Sequence, residues 1–156
     1  MKIWELGEGS EKSEIEKLVE SYTAGADVDY DQRLAEYDIF GSIAHVHALE
    51  ELELVSPEEA GKLRNELRRM LEEDIAVSAE DEDIHTKVEN QITRSLGELG
   101  EMLHTARSRN DQVLVDLRLF TKAELFKIVR KLLNLVESLL FFASSQSDTP
   151  MVGYTH

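Results

Sequence analysis

A chain of 156 residues with 42% hydrophobic and 31% charged side chains is long enough for one domain with a hydrophobic core, and its composition is that of a globular rather than a disordered chain. It has no apolar run of membrane-spanning length, no apolar signal stretch after Met1 and no cysteine, so a soluble, cytoplasmic protein without disulfides or thiolate metal sites is expected. Seventeen Lys and Arg against 32 Asp and Glu give a net charge of −15, which argues against nucleic-acid binding, because Arg107-Ser108-Arg109 and the Arg64, Arg68, Arg69 group are short and flanked by acids.

Helical periodicity begins with Ile15, Leu18, Val19 and Tyr22, where Ser13 and Glu16 are placed as a capping box. Thr23 to Asp29 break the pattern. A second helix is predicted from Asp31 to about Leu52, with apolar residues on more than one face and therefore well buried. Ser56-Pro57-Glu58-Glu59 is the clearest start signal in the chain. It offers a serine cap, a proline at the first helical position where no N–H is needed, and a glutamate that reaches back to the cap. Ala60, Leu63, Leu67 and Met70 form the stripe of this third helix, which should end near Glu73.

Val77 to Asp83 reads as an acidic loop, after which Ile84, Val88, Ile92, Leu96, Leu99 and Leu103 resume helical spacing. Thr105 to Asn110 is polar and breaks the stripe. From about Asp111 to Ser144 the apolar pattern is continuous, which predicts a helix roughly 50 Å long and a bundle shared between subunits. Ser144 to Pro150 end it, and Met151 to His156 begin another segment. No period-2 stretch of useful length occurs, so the fold class is all-α. The expected division is a helical domain over 1–110, carrying the polar loop, and over 111–156 the long helix with the start of the next segment.

Three segments are polar where the pattern predicts apolar residues or breaks: Asp81 to His85, His104 to Gln112, and Gly153 to His156. The middle one places two arginines, a serine, a threonine and an asparagine at a helix start. Unpaired backbone N–H groups and the partial positive charge there, with Arg107 or Arg109 nearby, suit a carboxylate ligand. Capping by Ser108 or Asn110 explains the same residues without a ligand. For Asp81 to His85, acids favoured by the helix dipole, a substrate contact and a sparse Asp-x-His metal set all remain open. His45 and His47 read as core or interface histidines, and His104 as a helix-end residue.

Asp81-Glu82-Asp83-Ile84-His85, then Leu103-His104-Thr105-Ala106-Arg107-Ser108-Arg109-Asn110-Asp111-Gln112-Val113, then Asp116-Leu117-Arg118-Leu119 resemble argininosuccinate lyases of the fumarase and aspartase superfamily. Asp29-Tyr30-Asp31, Leu34, Tyr37 to Ser42 and the closing Gly153-Tyr154-Thr155-His156 are similar to further elements of that family. Ala106 stands where the family has glycine, and Asp27 where it has a substrate-contacting serine. The resemblance implies β-elimination of argininosuccinate to arginine and fumarate, as in arginine biosynthesis. It implies Ser108, Arg109, Asn110 and Thr155 as substrate-binding residues, Asp83 and His85 lining the site, and His156 in the proton-transfer machinery. It also implies no cofactor or metal, and a homotetramer whose sites gather segments from three subunits.

By the same resemblance the proton is abstracted by a serine on a later mobile loop. A chain ending at His156 lacks that loop, so it is expected to be the inactive N-terminal part of an enzyme. Another lyase of the superfamily, or a non-catalytic crystallin-like homologue, are the competing expectations.

Overall fold

A computed structural model describes residues 15, 18, 22, 27–73, 75–77, 81 and 83–155. Every regular element among them is a helix: α1 (Asp27–Gln32), α2 (Ala35–Glu51), α3 (Pro57–Glu72), α4 (Ile84–Leu96), the short α5 (Glu98–Glu101), a 3₁₀ turn (Met102–His104) and α6 (Arg109–Ser145). The all-α fold is the one expected. Ile15, Leu18 and Tyr22 are helical and exposed, and the capping box proposed for Ser13 and Glu16 lies outside the described residues.

The third helix starts as its sequence dictates. The Ser56 hydroxyl accepts from the Glu59 N–H at 3.3 Å, and the Glu59 carboxylate accepts from the Ser56 N–H at 2.8 Å. Its stripe of Ala60, Leu63, Leu67 and Met70 is fully buried against Val46 and Leu49 of α2 and Ile84, Val88 and Ile92 of α4. Each large apolar side chain so buried stabilises the fold by about 1.5–3 kcal/mol.

The second expected helix is in fact two. Its first turn belongs to α1, and the chain turns at Arg33 and Leu34 before α2 begins. The reason is tertiary. The Gln32 amide donates to the Ile75 carbonyl at 2.7 Å and accepts from the Val77 N–H at 2.8 Å, while Asp31 accepts from the Ile84 N–H at 3.3 Å. These bonds tie α1 to the segment after α3 and to the head of α4. They also give partners to the Ile75 carbonyl and the Val77 N–H, which lie outside any regular element.

Glycines set the approach of α4 and α5. Gly97 has φ +60° and ψ −135°, a conformation open to glycine, and it reverses the chain. A Cβ on Gly100 would lie 2.6 Å from the Thr93 Cα and 2.7 Å from the Ile92 carbonyl, so only glycine fits there. This tight turn delivers the 3₁₀ segment and the loop that follows it.

The chain divides into two compact units, residues 1–118 and 119–156. With 37 residues, α6 is the longest element and about 55 Å long. Along it, Leu125, Phe126, Leu132, Val136 and Leu139 are at least half exposed. No helix among the described residues is long and apolar enough to cross a membrane.

Replacing Ser56 by alanine removes the acceptor for the Glu59 N–H. It should lower stability by about 1 kcal/mol in a denaturant titration. An unchanged midpoint would mean that proline at the first position sets this helix start without the cap.

Candidate active site

The loop from Thr105 to Ser108 joins the 3₁₀ turn to α6, and α2 holds it at two points. The His45 Nε2 donates to the Thr105 carbonyl at 3.0 Å, and the Arg107 guanidinium donates to the Ser42 hydroxyl at 3.0 Å. Burial lowers the His45 pKa, which favours the neutral imidazole in this contact. Ser108 caps α6: its hydroxyl accepts from the Asn110 N–H at 3.2 Å, and its carbonyl from the Asp111 and Gln112 N–H groups. Ala106 has φ +57°, in the left-handed region that favours glycine.

Beneath the loop lies a buried polar cluster. The His85 Nδ1 donates to the Asp38 Oδ1 at 2.7 Å, and the Gln112 amide donates to the same oxygen at 3.2 Å. Asp116 Oδ2 stands 3.6 Å from the His85 Nδ1. The cluster rests on α2 at Gly41, where an added Cβ would meet the Arg107 Nη2 at 3.3 Å and the Asp116 Oδ1 at 3.4 Å. Burial opposes charge on His85, but its hydrogen bond to Asp38 and the charges of Asp38, Asp83 and Asp116 outweigh burial and raise its pKa. Burial, reinforced by the Asp38 charge, pushes Asp116 up to about 7. Burial also lowers the Arg107 pKa, against the pull of Asp38, Asp116 and Glu89.

Nearer the surface, the Arg109 guanidinium donates to both oxygens of Glu89, at 3.0 and 3.4 Å, and its Nε lies 3.8 Å from Asp83. His104 Nδ1 faces the same Glu89 at 3.0 Å. Asp83 is the N-cap of α4 and accepts from the Thr86 N–H at 2.6 Å.

Of the residues read from the sequence, Asp83 and Arg109 are thus neighbours, and His85, two residues further along, is buried and bonded to Asp38. Ser108 is exposed and serves as a cap. Asn110 is exposed, and its side chain makes no hydrogen bond among the described residues. Thr155 is an exposed residue of the second unit, and His156 lies outside the described residues. His47 is exposed with its Nδ1 3.5 Å from Arg64, while His45 is half-buried on the loop.

Sequence reading gave no role to Asp38, Ser42, Glu89, Gln112 or Asp116. A signal for them exists. Asp38 and Ser42, His85 and Glu89, and Gln112 and Asp116 are each an i, i+4 polar pair on a helix, so each pair shares a face. By donor type Asp38, His85 and Asp116 are a set suited to a divalent cation, with their atoms within 4.8 Å of one another. The 2.7 Å contact between His85 and Asp38 is a hydrogen bond, however, and the neighbouring Arg107 already supplies positive charge. The cluster is suited to holding protons and orienting the loop, and beside it Arg109 is held by Glu89.

Ala106→Gly relieves the left-handed strain at that position. It should raise stability by about 0.5–1 kcal/mol in thermal or denaturant melts, the gain being reduced by the greater freedom of glycine in the unfolded chain. A loss of stability would mean the Ala106 methyl group packs more than the strain costs.

Residues 9–156 match the family described as Lyase. The chain is 41% identical over 159 residues to a protein of Streptococcus thermophilus named argininosuccinate lyase, covering 99% of this chain and 33% of that protein. Proteins of the same name from Streptococcus suis and Desulforamulus reducens are 40% and 42% identical, each over the whole of this chain and 34% of their own length. The chain therefore spans about a third of the length of the curated relatives it matches. By a match over nearly all its residues and an all-helical fold, this chain belongs to the lyase family of the fumarase and aspartase superfamily.

Proposed function

We propose that this chain is part of an argininosuccinate lyase, an enzyme that eliminates fumarate from argininosuccinate and leaves arginine. The observation that carries this reading is the similarity to proteins of that name over the whole chain, joined to a loop whose donors are fixed in place. In such an elimination a base takes the proton from the carbon beside a carboxylate, the C–N bond breaks, and the leaving guanidine nitrogen takes a proton from an acid. Negative charge grows on the carboxylate, so preorganised donors aimed at it lower the barrier.

Arg109, held by Glu89 and Asp83, is such a donor, and the exposed Asn110 amide is free to add a second. In this reading Ser108, Arg109, Asn110 and Thr155 bind the substrate, and Asp83 and His85 line the site, His85 from behind. His156 supports proton transfer. The enzyme works in the cytoplasm, in arginine biosynthesis. It works as a homotetramer, and the apolar residues along α6, among them Leu117, Leu125, Leu132, Val136 and Leu139, are the shared face.

The test is fumarate release, followed by ultraviolet absorbance, from the parent protein given argininosuccinate. Asn110→Ala should cost about two to three decades in turnover, about 2.7–4 kcal/mol, with the melting temperature nearly unchanged. A lowered melting point with normal turnover would make Asn110 a structural residue, and no fumarate from the unaltered protein would sink the assignment.

The exposed apolar length of α6 also predicts self-association of this chain. Light scattering should give a mass above that of a monomer at micromolar concentration. A clean monomer would count against the shared helix face.

A further inference from the structure

The buried cluster holds more carboxylate oxygens than donors. Asp38 Oδ1 receives both the His85 and the Gln112 hydrogen bonds, while Asp38 Oδ2 and both oxygens of Asp116 have no partner among the described residues. Asp38 and Asp116 are both fully buried. Two ionised carboxylates with oxygens within 4.8 Å of each other in a buried site would repel each other strongly, and a buried acceptor left unpaired is costly. One proton between them relieves the repulsion and pairs Asp38 Oδ2 with one oxygen of Asp116, two of the three unpartnered atoms. The surroundings decide which carboxyl carries it. Asp38 Oδ1 accepts from two donors, whereas no hydrogen-bond donor reaches Asp116.

We propose that Asp38 and Asp116 share a single proton, donated from Asp116 to the free oxygen of Asp38, and that this clasp positions the Thr105–Asn110 loop. The clasp joins three helices: Asp38 comes from α2, His85 from α4, and Gln112 and Asp116 from the first two turns of α6. The loop is the covalent lead into α6, and Arg107 and Thr105 are bonded to α2 one and two turns beyond Asp38. Anything that separates Asp116 from Asp38 therefore moves the start of α6 against the face that holds the loop. Asp38, Asp116, His85, Asp83 and Arg107 face this proton, with Glu89 and Arg109 in the next layer. Asp38, Asp116 and His85 are positioning residues, and their bearing on turnover rests on the lyase reading. The clasp itself does not.

The direction of its pH dependence follows. Asp116 is held up to about 7 from an ordinary 3.8, so its share of stability is complete below the ordinary value. That share is lost as pH rises through this window. His85, also raised, loses its contribution in the same direction, from 6.5 upward.

The experiment is a series of melts of the whole chain from pH 5 to pH 8, with amide NMR of the loop, on the unaltered protein, Asp116→Asn and Asp116→Leu. Asparagine keeps an N–H donor toward Asp38 and cannot ionise. Asp116→Asn should keep the pH 5 melting temperature and show a smaller fall by pH 8, the His85 part remaining. The Arg107 and Ser108 amide signals should shift with a midpoint near pH 7 in the unaltered chain and lose that shift in Asp116→Asn. Asp116→Leu should melt lower already at pH 5, because Asp38 loses its donor. An equal fall in the unaltered chain and Asp116→Asn, or loop signals that ignore pH in the unaltered chain, would overturn the shared proton. So would a melting temperature raised by added Zn²⁺ or Mn²⁺, which would make the cluster a metal site. Because none of these readouts uses turnover, failure of the clasp and failure of the lyase assignment are told apart by the fumarate assay.

Discussion

The hydrogen bond between His85 and Asp38, 2.7 Å long and shut away from solvent, is the constraint on which the candidate site depends. A charged pair in such a place is held only if both partners are present, since removing one leaves an uncompensated charge that destabilises by about 3–5 kcal/mol. The same Asp38 oxygen is the acceptor for Gln112, burial and the Asp38 charge push Asp116 up, and Arg107 has a negative region to face. The first two turns of α6 are thereby docked on α2 and α4 by polar contacts, in a place where apolar packing alone would tolerate small shifts.

That docking fixes the one short loop that the proposed function uses for binding. Ser108 caps α6 and is exposed, so capping and ligand binding are compatible uses of the same residue. Arg109 is engaged by Glu89 and lies near Asp83, and a guanidinium restrained in this way loses less freedom when an anion arrives. Glu89 also faces His104, so the carboxylate links the 3₁₀ turn to the head of α6. The rim is thus set by internal ion pairs, and its residual charge is the difference between two arginines and the acids around them.

Much of the helical layout was legible in residues 56–104. The capping box at Ser56 and Glu59, the stripe from Ala60 to Met70 and the spacing from Ile84 to Ile92 are local signals, and the helices follow them. The boundary between α1 and α2 was not legible, because bonds from Asp31 and Gln32 to residues more than 40 positions away decide it. In α2 the expectation of a well-buried helix holds only for one face: Ile39, Val46 and Leu49 are buried while Phe40 is 44% exposed. The same buried face also carries Asp38 and Ser42, a departure from the apolar pattern that marks the polar cluster.

By itself the sequence determined the all-helical class, the start and stripe of α3, the length of α6 and the polar loop ahead of it. These follow from backbone capping, 3.6-residue periodicity and residue type, which act between near neighbours. Its motifs also pointed to the lyase family. Only the tertiary structure decided which polar residues meet. Asp38, His85 and Asp116 are separated by 47 and 31 positions, and nothing local marks them as partners. Their pairing, and the direction in which burial and neighbouring charge move each proton, come from the low-dielectric space enclosed when three helices close on one another.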